Sequence, residues 1–168
     1  MSLEIVKQLF DVAALSERTT SLDTVRSSFV SAVSNESRYR EVDTTQRDVA
    51  LDVIGTALSI SSEGKVGRGD WDELRSGIAR LKSYVFSDVY TQSLAKAHAA
   101  RAAYVAAVVA FSTNDRMQVF ESPESIDQMR ILEPALKPLN KLRKTSPESL
   151  FYWYHTVSIL EDAGISIT

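Results

Sequence analysis

The chain has 168 residues, a formal net charge of −3, 44% hydrophobic residues and no cysteine. This length fits one domain, and the absence of cysteine excludes disulfides, thiolate metal sites and thiol catalysis. The acidic balance argues against a protein whose whole surface attracts nucleic acid.

The sequence indicates a cytoplasmic protein. Its N-terminus, Met-Ser-Leu-Glu-Ile-Val-Lys, lacks the basic and apolar regions of a secretory signal. The longest apolar run, 102–111, is much shorter than the roughly 20 residues that cross a bilayer. We therefore expect no membrane-spanning segment and a reducing environment.

The first 60 residues contain three segments whose apolar side chains recur at the spacing of one helix face. These segments are 3–15, 22–37 and 46–60. Thr20 or Ser21 can cap the second helix, and Thr44 or Thr45 can cap the third. Asp48 lies three residues after Thr45, which is typical of a capping box.

The middle of the chain predicts a loop and two further helices. Three of the six glycines fall within 63–69, which indicates an exposed, mobile loop. Asp70 can cap the next helix over 71–85. A break at 86–88 then leads to an alanine-rich helix over about 91–112, which can lie at the centre of a bundle.

Prolines divide the remainder of the chain into short helical turns, namely Pro123, Pro134 and Pro138. Pro147 begins a final helix, and Gly164 fits its end. We find no strand alternation, repeat or linker. The prediction is an all-α fold: a single helical domain over 1–168, formed by one bundle of about six helices.

Five rings in a row, Phe-Tyr-Trp-Tyr-His, extend from Phe151 to His155. Successive side chains on a helix are rotated by about 100°, so one face cannot bury all five rings. Either the bundle encloses this helix on most sides, or one ring face is left for a partner. If Phe151 and Tyr154 face the bundle, burial on that helix face does not account for the rings of Tyr152, Trp153 and His155.

No catalytic, metal or cofactor motif is complete in this sequence. His98 and His155 lack a suitably spaced Glu or Asp, so both are interpreted as structural histidines. The glycine-rich segment lacks the Gly-Lys-Ser/Thr ending of a phosphate loop, and no Gly-x-Ser-x-Gly sequence occurs. We therefore expect no catalytic residue, no metal and no cofactor.

The one concentration of basic residues precedes the ring run at a helix N-terminus that could hold a phosphate. Together with two rings it forms a hypothetical site for a nucleotide or nucleic acid: Lys137, Lys141, Arg143, Lys144, Tyr152 and Trp153. Stacking on a base requires exposed rings. The alternative, which we favour, is a solvated basic loop that balances the acidic remainder of the molecule.

Two segments carry a resemblance to a known family: Ile-Val-Lys-Gln-Leu-Phe-Asp-Val at 5–12, and Asn-Lys-Leu-Arg-Lys-Thr-Ser-Pro-Glu at 140–148 with Phe-Tyr-Trp-Tyr at 151–154. In sequence, order and spacing they resemble the helical C-terminal half of AbiEii/AbiGii-type nucleotidyltransferase-toxin proteins. In that family a catalytic α/β domain comes first and carries a Gly-Ser motif and metal-binding aspartates. The resemblance covers nearly all of this chain but only the second half of such a protein.

The chain departs from the family at the positions that would support catalysis. It has no Gly-Ser motif with an Asp-x-Asp partner, and the Lys-Asp pair of the family corresponds to Lys7 and Gln8. Asp11 matches the second acid, but an amide at Gln8 cannot act as a base or metal-binding carboxylate. The resemblance therefore implies a helical module that does not transfer nucleotides alone.

The first prediction of function is a non-catalytic interaction module that acts with a protein partner, with a separately encoded nucleotidyltransferase domain as one possibility. Lys7, Gln8 and Asp11 would contact this partner, because the catalytic domain would join at the first helix. The rival prediction is the nucleotide or nucleic-acid binder. An enzyme with an unrecognised site is a third alternative, and association with a second copy of the chain stays open.

Overall fold

A computed structural model describes residues 2–16, 18, 21–41, 43–81, 90–114 and 116–167. Within these ranges the protein is all-α, with seven α-helices, two 3-10 turns and no strand. The α-helices are α1 (Ser2–Ser16), α2 (Leu22–Arg40), α3 (Gln46–Ser62), α4 (Trp71–Leu81), α5 (Gln92–Phe111), α6 (Leu142–Thr145) and α7 (Pro147–Asp162). The all-α prediction is confirmed. The structure has one helix more than predicted because α6, a single turn, is separate from the 3-10 turn before it.

Local side-chain chemistry sets the starts of the predicted helices. Thr45 and Asp48 form the predicted capping box, in which each residue accepts a hydrogen bond from the other's backbone N–H, at 3.1 and 3.0 Å. Asp70 caps α4 by accepting a 3.0 Å hydrogen bond from the Glu73 N–H. Beyond residue 81, the predicted end of this helix and the break at 86–88 lie outside the described residues.

The alanine-rich helix α5 is the centre of the bundle and packs against α1, α3 and α7. Alanines on all of its sides are buried, so neighbouring helices can approach closely. Among the described residues, α5 is also the one helix whose length and composition would suit a membrane span. In the structure, 61% of the apolar stretch of this helix is buried inside the bundle.

The glycine-rich segment after α3, predicted to be a mobile loop, is exposed but folds back onto α3. The Arg68 N–H donates a 2.8 Å hydrogen bond to the Gly55 carbonyl oxygen. The Ser62 hydroxyl donates a hydrogen bond to the Val66 carbonyl oxygen and accepts one from the Val66 N–H. Gly67 has a φ of 107° and touches the α3 backbone, where a side chain would have no room. The glycines therefore allow close packing.

Helix α2 lies at the edge of the bundle against α3 and α5. Of its described side chains only Leu22 and Val33 are buried. Its Arg26 guanidinium donates 2.8 Å hydrogen bonds to the carbonyl oxygens of Ser112 and Asn114, just after α5. The helix is therefore attached both by apolar packing of Leu22, Val25 and Phe29 on the core and by the Arg26 hydrogen bonds.

Candidate functional site

The ring-bearing helix α7 is enclosed, so three of its five rings belong to the core. Phe151 and Tyr152 are each 4% exposed, Trp153 is 0% exposed, and Tyr154 and His155 are half-buried. Helices α5 and α6 and both 3-10 turns pack around α7. A buried ring cannot stack on a base, so the prediction that Tyr152 and Trp153 form a stacking surface is wrong.

The polar tips of these buried rings are satisfied within the protein. The Trp153 indole N–H donates a 2.8 Å hydrogen bond to the Ser61 hydroxyl on α3. The Tyr152 hydroxyl accepts a bond of 3.5 Å from the Phe120 N–H, and the Arg101 guanidinium lies 5.2 Å from the Tyr152 ring centroid. Burial raises the pKa of the Tyr152 phenol. These groups therefore have structural roles.

Arg143, one of the four predicted phosphate contacts, is used inside the protein. Its guanidinium donates hydrogen bonds to the carbonyl oxygens of Ile126, Asp127 and Met129, at 2.6 Å for Ile126 and 3.3 Å for Asp127. It thereby fixes the chain that follows the first 3-10 turn. In this conformation Arg143 is a clamp for three carbonyls and offers little to an external phosphate.

The other three basic residues, Lys137, Lys141 and Lys144, are exposed. They are spaced four and three residues apart, while Leu139 and Leu142 between them are buried. The lysines therefore lie at solvent-exposed positions of this short helical stretch. Three charges of the predicted basic site are exposed to solvent, whereas Arg143 and both rings are used inside the protein.

The predicted partner contacts on α1 are all exposed. Lys7, Gln8 and Asp11 lie on the side of α1 that faces away from α4 and α5. Val12 and Leu15 continue the same side and are 40% and 66% exposed. Sequence reasoning missed this pair, because it considered only the polar residues on the outer side of the helix.

Both histidines pack against other rings. The His98 ring centroid lies 5.0 Å from that of Phe10 and 5.8 Å from that of Tyr90. His155 packs edge-on against Phe151, with centroids 4.6 Å apart. Burial lowers the pKa of the His155 imidazole below its usual value. Within the described ranges, no group of three His, Asp or Glu side chains could hold a metal ion.

An open groove of about 500 Å³ lies between the N-terminal ends of α5 and α7. Leu94, Phe120 and Pro123 contribute its apolar lining. Its carboxylate, Glu148, is paired with the Arg101 guanidinium. None of the described lining residues is a histidine that could activate a hydroxyl nucleophile. The groove therefore offers a surface for contact.

No model of a known protein family, no curated protein and no solved structure matches this chain. The resemblance to the helical half of nucleotidyltransferase-toxin proteins therefore stays a prediction.

Proposed function

We propose that this chain is a non-catalytic helical module that binds a protein partner through the outer face of α1. The observation that carries the proposal is an exposed apolar pair, Val12 and Leu15, on the same side as three polar residues. Exposed apolar groups bordered by polar groups are typical of protein interfaces. The polar border consists of Lys7, Gln8 and Asp11.

The inner side of α1 supports this surface on the bundle. Val6 and Ala13 are 1% and 0% exposed, and the helix packs against α4 and α5. A contact face on an anchored helix loses little conformational entropy when a partner binds. Lys7 and Asp11 carry opposite charges, so they favour a partner that presents an acidic and a basic group at matching positions.

The family resemblance supports a particular partner, a separately encoded nucleotidyltransferase domain. In the proteins that the chain resembles, the catalytic domain precedes the segment that corresponds to α1. A domain encoded separately would dock where the covalent connection is otherwise made. Gln8, in place of an acid, fits a role in contact without catalysis.

A pull-down with the tagged chain, followed by a binding titration with the purified partner, tests the proposal. We expect Val12→Asp with Leu15→Asp to weaken binding by at least about tenfold, because two apolar groups that the partner would bury become charged. Leu132→Asp is the matched control, since Leu132 is 70% exposed and lies outside α1. Equal binding by both variants, or no specific partner for the wild type, would contradict the proposal.

The three exposed lysines support a second candidate function, the electrostatic binding of a phosphate-rich ligand. Lys137, Lys141 and Lys144 can approach neighbouring phosphates together, without base stacking. Titration with ATP, GTP and tRNA at low salt tests it, with Lys141→Ala plus Lys144→Ala as the variant. Binding to tRNA that persists in this variant, or that ignores added salt, would exclude the three-lysine site.

A further inference from the structure

An extended segment crosses the surface of the bundle between α5 and the first 3-10 turn. Residues 117–122 contain no helix, turn or bend. At the end of the segment, Ser122 has a φ of −160° and a ψ of 163°, which is β-region backbone. This all-α protein therefore presents a short stretch of strand-like chain.

Two tyrosine hydroxyls hold one edge of this extended segment. The Gln118 N–H donates a 2.6 Å hydrogen bond to the Tyr104 hydroxyl, and the Phe120 N–H donates a longer one, 3.5 Å, to the Tyr152 hydroxyl. In extended chain, alternate residues direct their N–H and C=O groups to the same edge. The edge formed by residues 118 and 120 thus faces α5 and α7.

By this alternation the backbone groups of Met117, Val119 and Glu121 point to the opposite edge, while the Met117 side chain is half-buried against the core. Among the described residues, the backbone N–H and C=O groups of these three make no hydrogen bond. The Val119 side chain is 69% exposed. A row of unpaired backbone groups is a template for another strand.

We propose that this edge pairs with the same edge of a second copy of the chain, in antiparallel orientation and centred on Val119. The two Val119 residues would then exchange both of their backbone hydrogen bonds, and Met117 of each copy would pair with Glu121 of the other. Because the pairing is symmetric about Val119, the same backbone edge of each copy forms both halves of the contact.

Charge supports the antiparallel orientation. Arg116 precedes the free edge, whereas Glu121 and Glu124 lie at its other end, and all three are exposed. Antiparallel pairing places the basic end of each copy beside the acidic end of the other, while parallel pairing would bring like charges together. The pairing adds about six backbone hydrogen bonds but buries little area, so the dimer is weak and depends on concentration.

The edge at Val119 is separate from the proposed partner face on α1, so loss of self-association and loss of partner binding can be distinguished. Sedimentation equilibrium of the full chain, from about 10 μM to about 1 mM, measures the self-association. Val119→Pro removes the central outward N–H but keeps the residues that bond the tyrosines. Val119→Thr is the control, because it keeps the N–H and a branched side chain.

We expect Val119→Pro to weaken dimerisation by about tenfold or more, and Val119→Thr to dimerise like the wild type. A wild-type chain that stays monomeric throughout, or a Val119→Pro variant that dimerises normally, would overturn the proposal. A strand from a different protein that binds this edge while the chain stays monomeric would also overturn it.

Charge reversal tests the orientation even if the proline variant does not fold. Arg116→Glu alone and Glu121→Arg alone each place like charges at facing ends, so each weakens the dimer. The double variant restores opposite charges and returns the dissociation constant towards that of the wild type. A double variant as weak as its two parents would rule out the antiparallel arrangement.

Discussion

Inside the core, the Trp153 indole N–H donates a 2.8 Å hydrogen bond to the Ser61 hydroxyl, which joins α7 to α3. Trp153→Phe removes this donor, leaves a small void and deprives the Ser61 hydroxyl, on a residue only 5% exposed, of its partner. We expect the free energy of unfolding to fall by about 2–3 kcal/mol. Urea denaturation followed by far-UV circular dichroism measures the change.

A double-mutant cycle separates the hydrogen bond from the packing. Ser61→Ala in the wild type also breaks the bond, but in the Trp153→Phe background it removes a hydroxyl that has already lost its partner. Ser61→Ala should therefore lower the free energy of unfolding by about 1 kcal/mol less in the Trp153→Phe background than in the wild type. Equal costs in both backgrounds would show that the bond adds nothing to stability.

Gly67 and Gly164 have left-handed backbone with different surroundings. Gly67 has a φ of 107°, and a Cβ there would clash with the backbone at Ser59, whereas Gly164 has a φ of 66° and open space around it. Gly164→Ala should cost about 1 kcal/mol, from backbone strain alone. Gly67→Ala should cost at least about 2 kcal/mol more. Thermal and urea unfolding compare the pair, and similar losses would contradict the close packing of the loop.

His155 couples stability to pH. Burial lowers its folded-state pKa below the usual value of 6.5, so between these two pKa values the unfolded chain binds more protons. Stability should therefore decrease as the pH falls through this window. His155→Gln should reduce that decrease, as measured by urea denaturation at several pH values. The lowered pKa values of the Asp48 and Glu63 carboxyl groups affect stability only at lower pH. An unchanged slope near pH 6 would refute the role of His155.

At the level of structural elements, the neighbours Arg143 and Lys144 have different structural roles. Arg143→Ala should lower the free energy of unfolding by about 2 kcal/mol, because carbonyls near Ile126 and Met129 lose a charged donor. Lys144→Ala should change it by less than about 0.5 kcal/mol, since the side chain is exposed. Urea denaturation measures both variants. Equal effects would mean that Arg143 is not a structural clamp.

Helix starts could be predicted because their signals are local. Thr45 with Asp48, and Asp70, need only the next three residues to cap a helix, and the structure places them so. The burial of Tyr152 and Trp153 could not be predicted in this way. Helical spacing gives the angle between side chains, whereas burial depends on which other elements surround the helix.

The candidate site shows the same limit. A run of basic residues indicates a solvated surface, which is correct for the three lysines and wrong for Arg143. The carbonyls that Arg143 binds belong to a connection whose path depends on the whole fold. The free backbone edge at Val119 could not be predicted from the sequence either, because the alternation of apolar and polar residues around it is too short to indicate a strand.

At the scale of the molecule, burial is unequal: α5 lies at the centre, and α2 lies at the edge. α5 buries side chains on all sides, whereas Leu22 and Val33 are the buried described residues of α2. Local stability follows such differences, so parts of a protein can open without global unfolding. We expect α2 to open at a lower free energy than α5.

Native-state hydrogen exchange tests this expectation residue by residue. Backbone amides in α5 should exchange near the global unfolding free energy, and those in α2 should exchange much faster. Arg26→Ala removes the two hydrogen bonds to carbonyls after α5, so it should speed exchange in α2 more than in α5. Arg38→Ala is the control, since that side chain lies exposed on the same helix. If α2 and α5 exchange with one common free energy, the edge helix folds and unfolds with the core. If Arg26→Ala speeds exchange in α2 no more than Arg38→Ala does, the Arg26 hydrogen bonds do not help to hold α2.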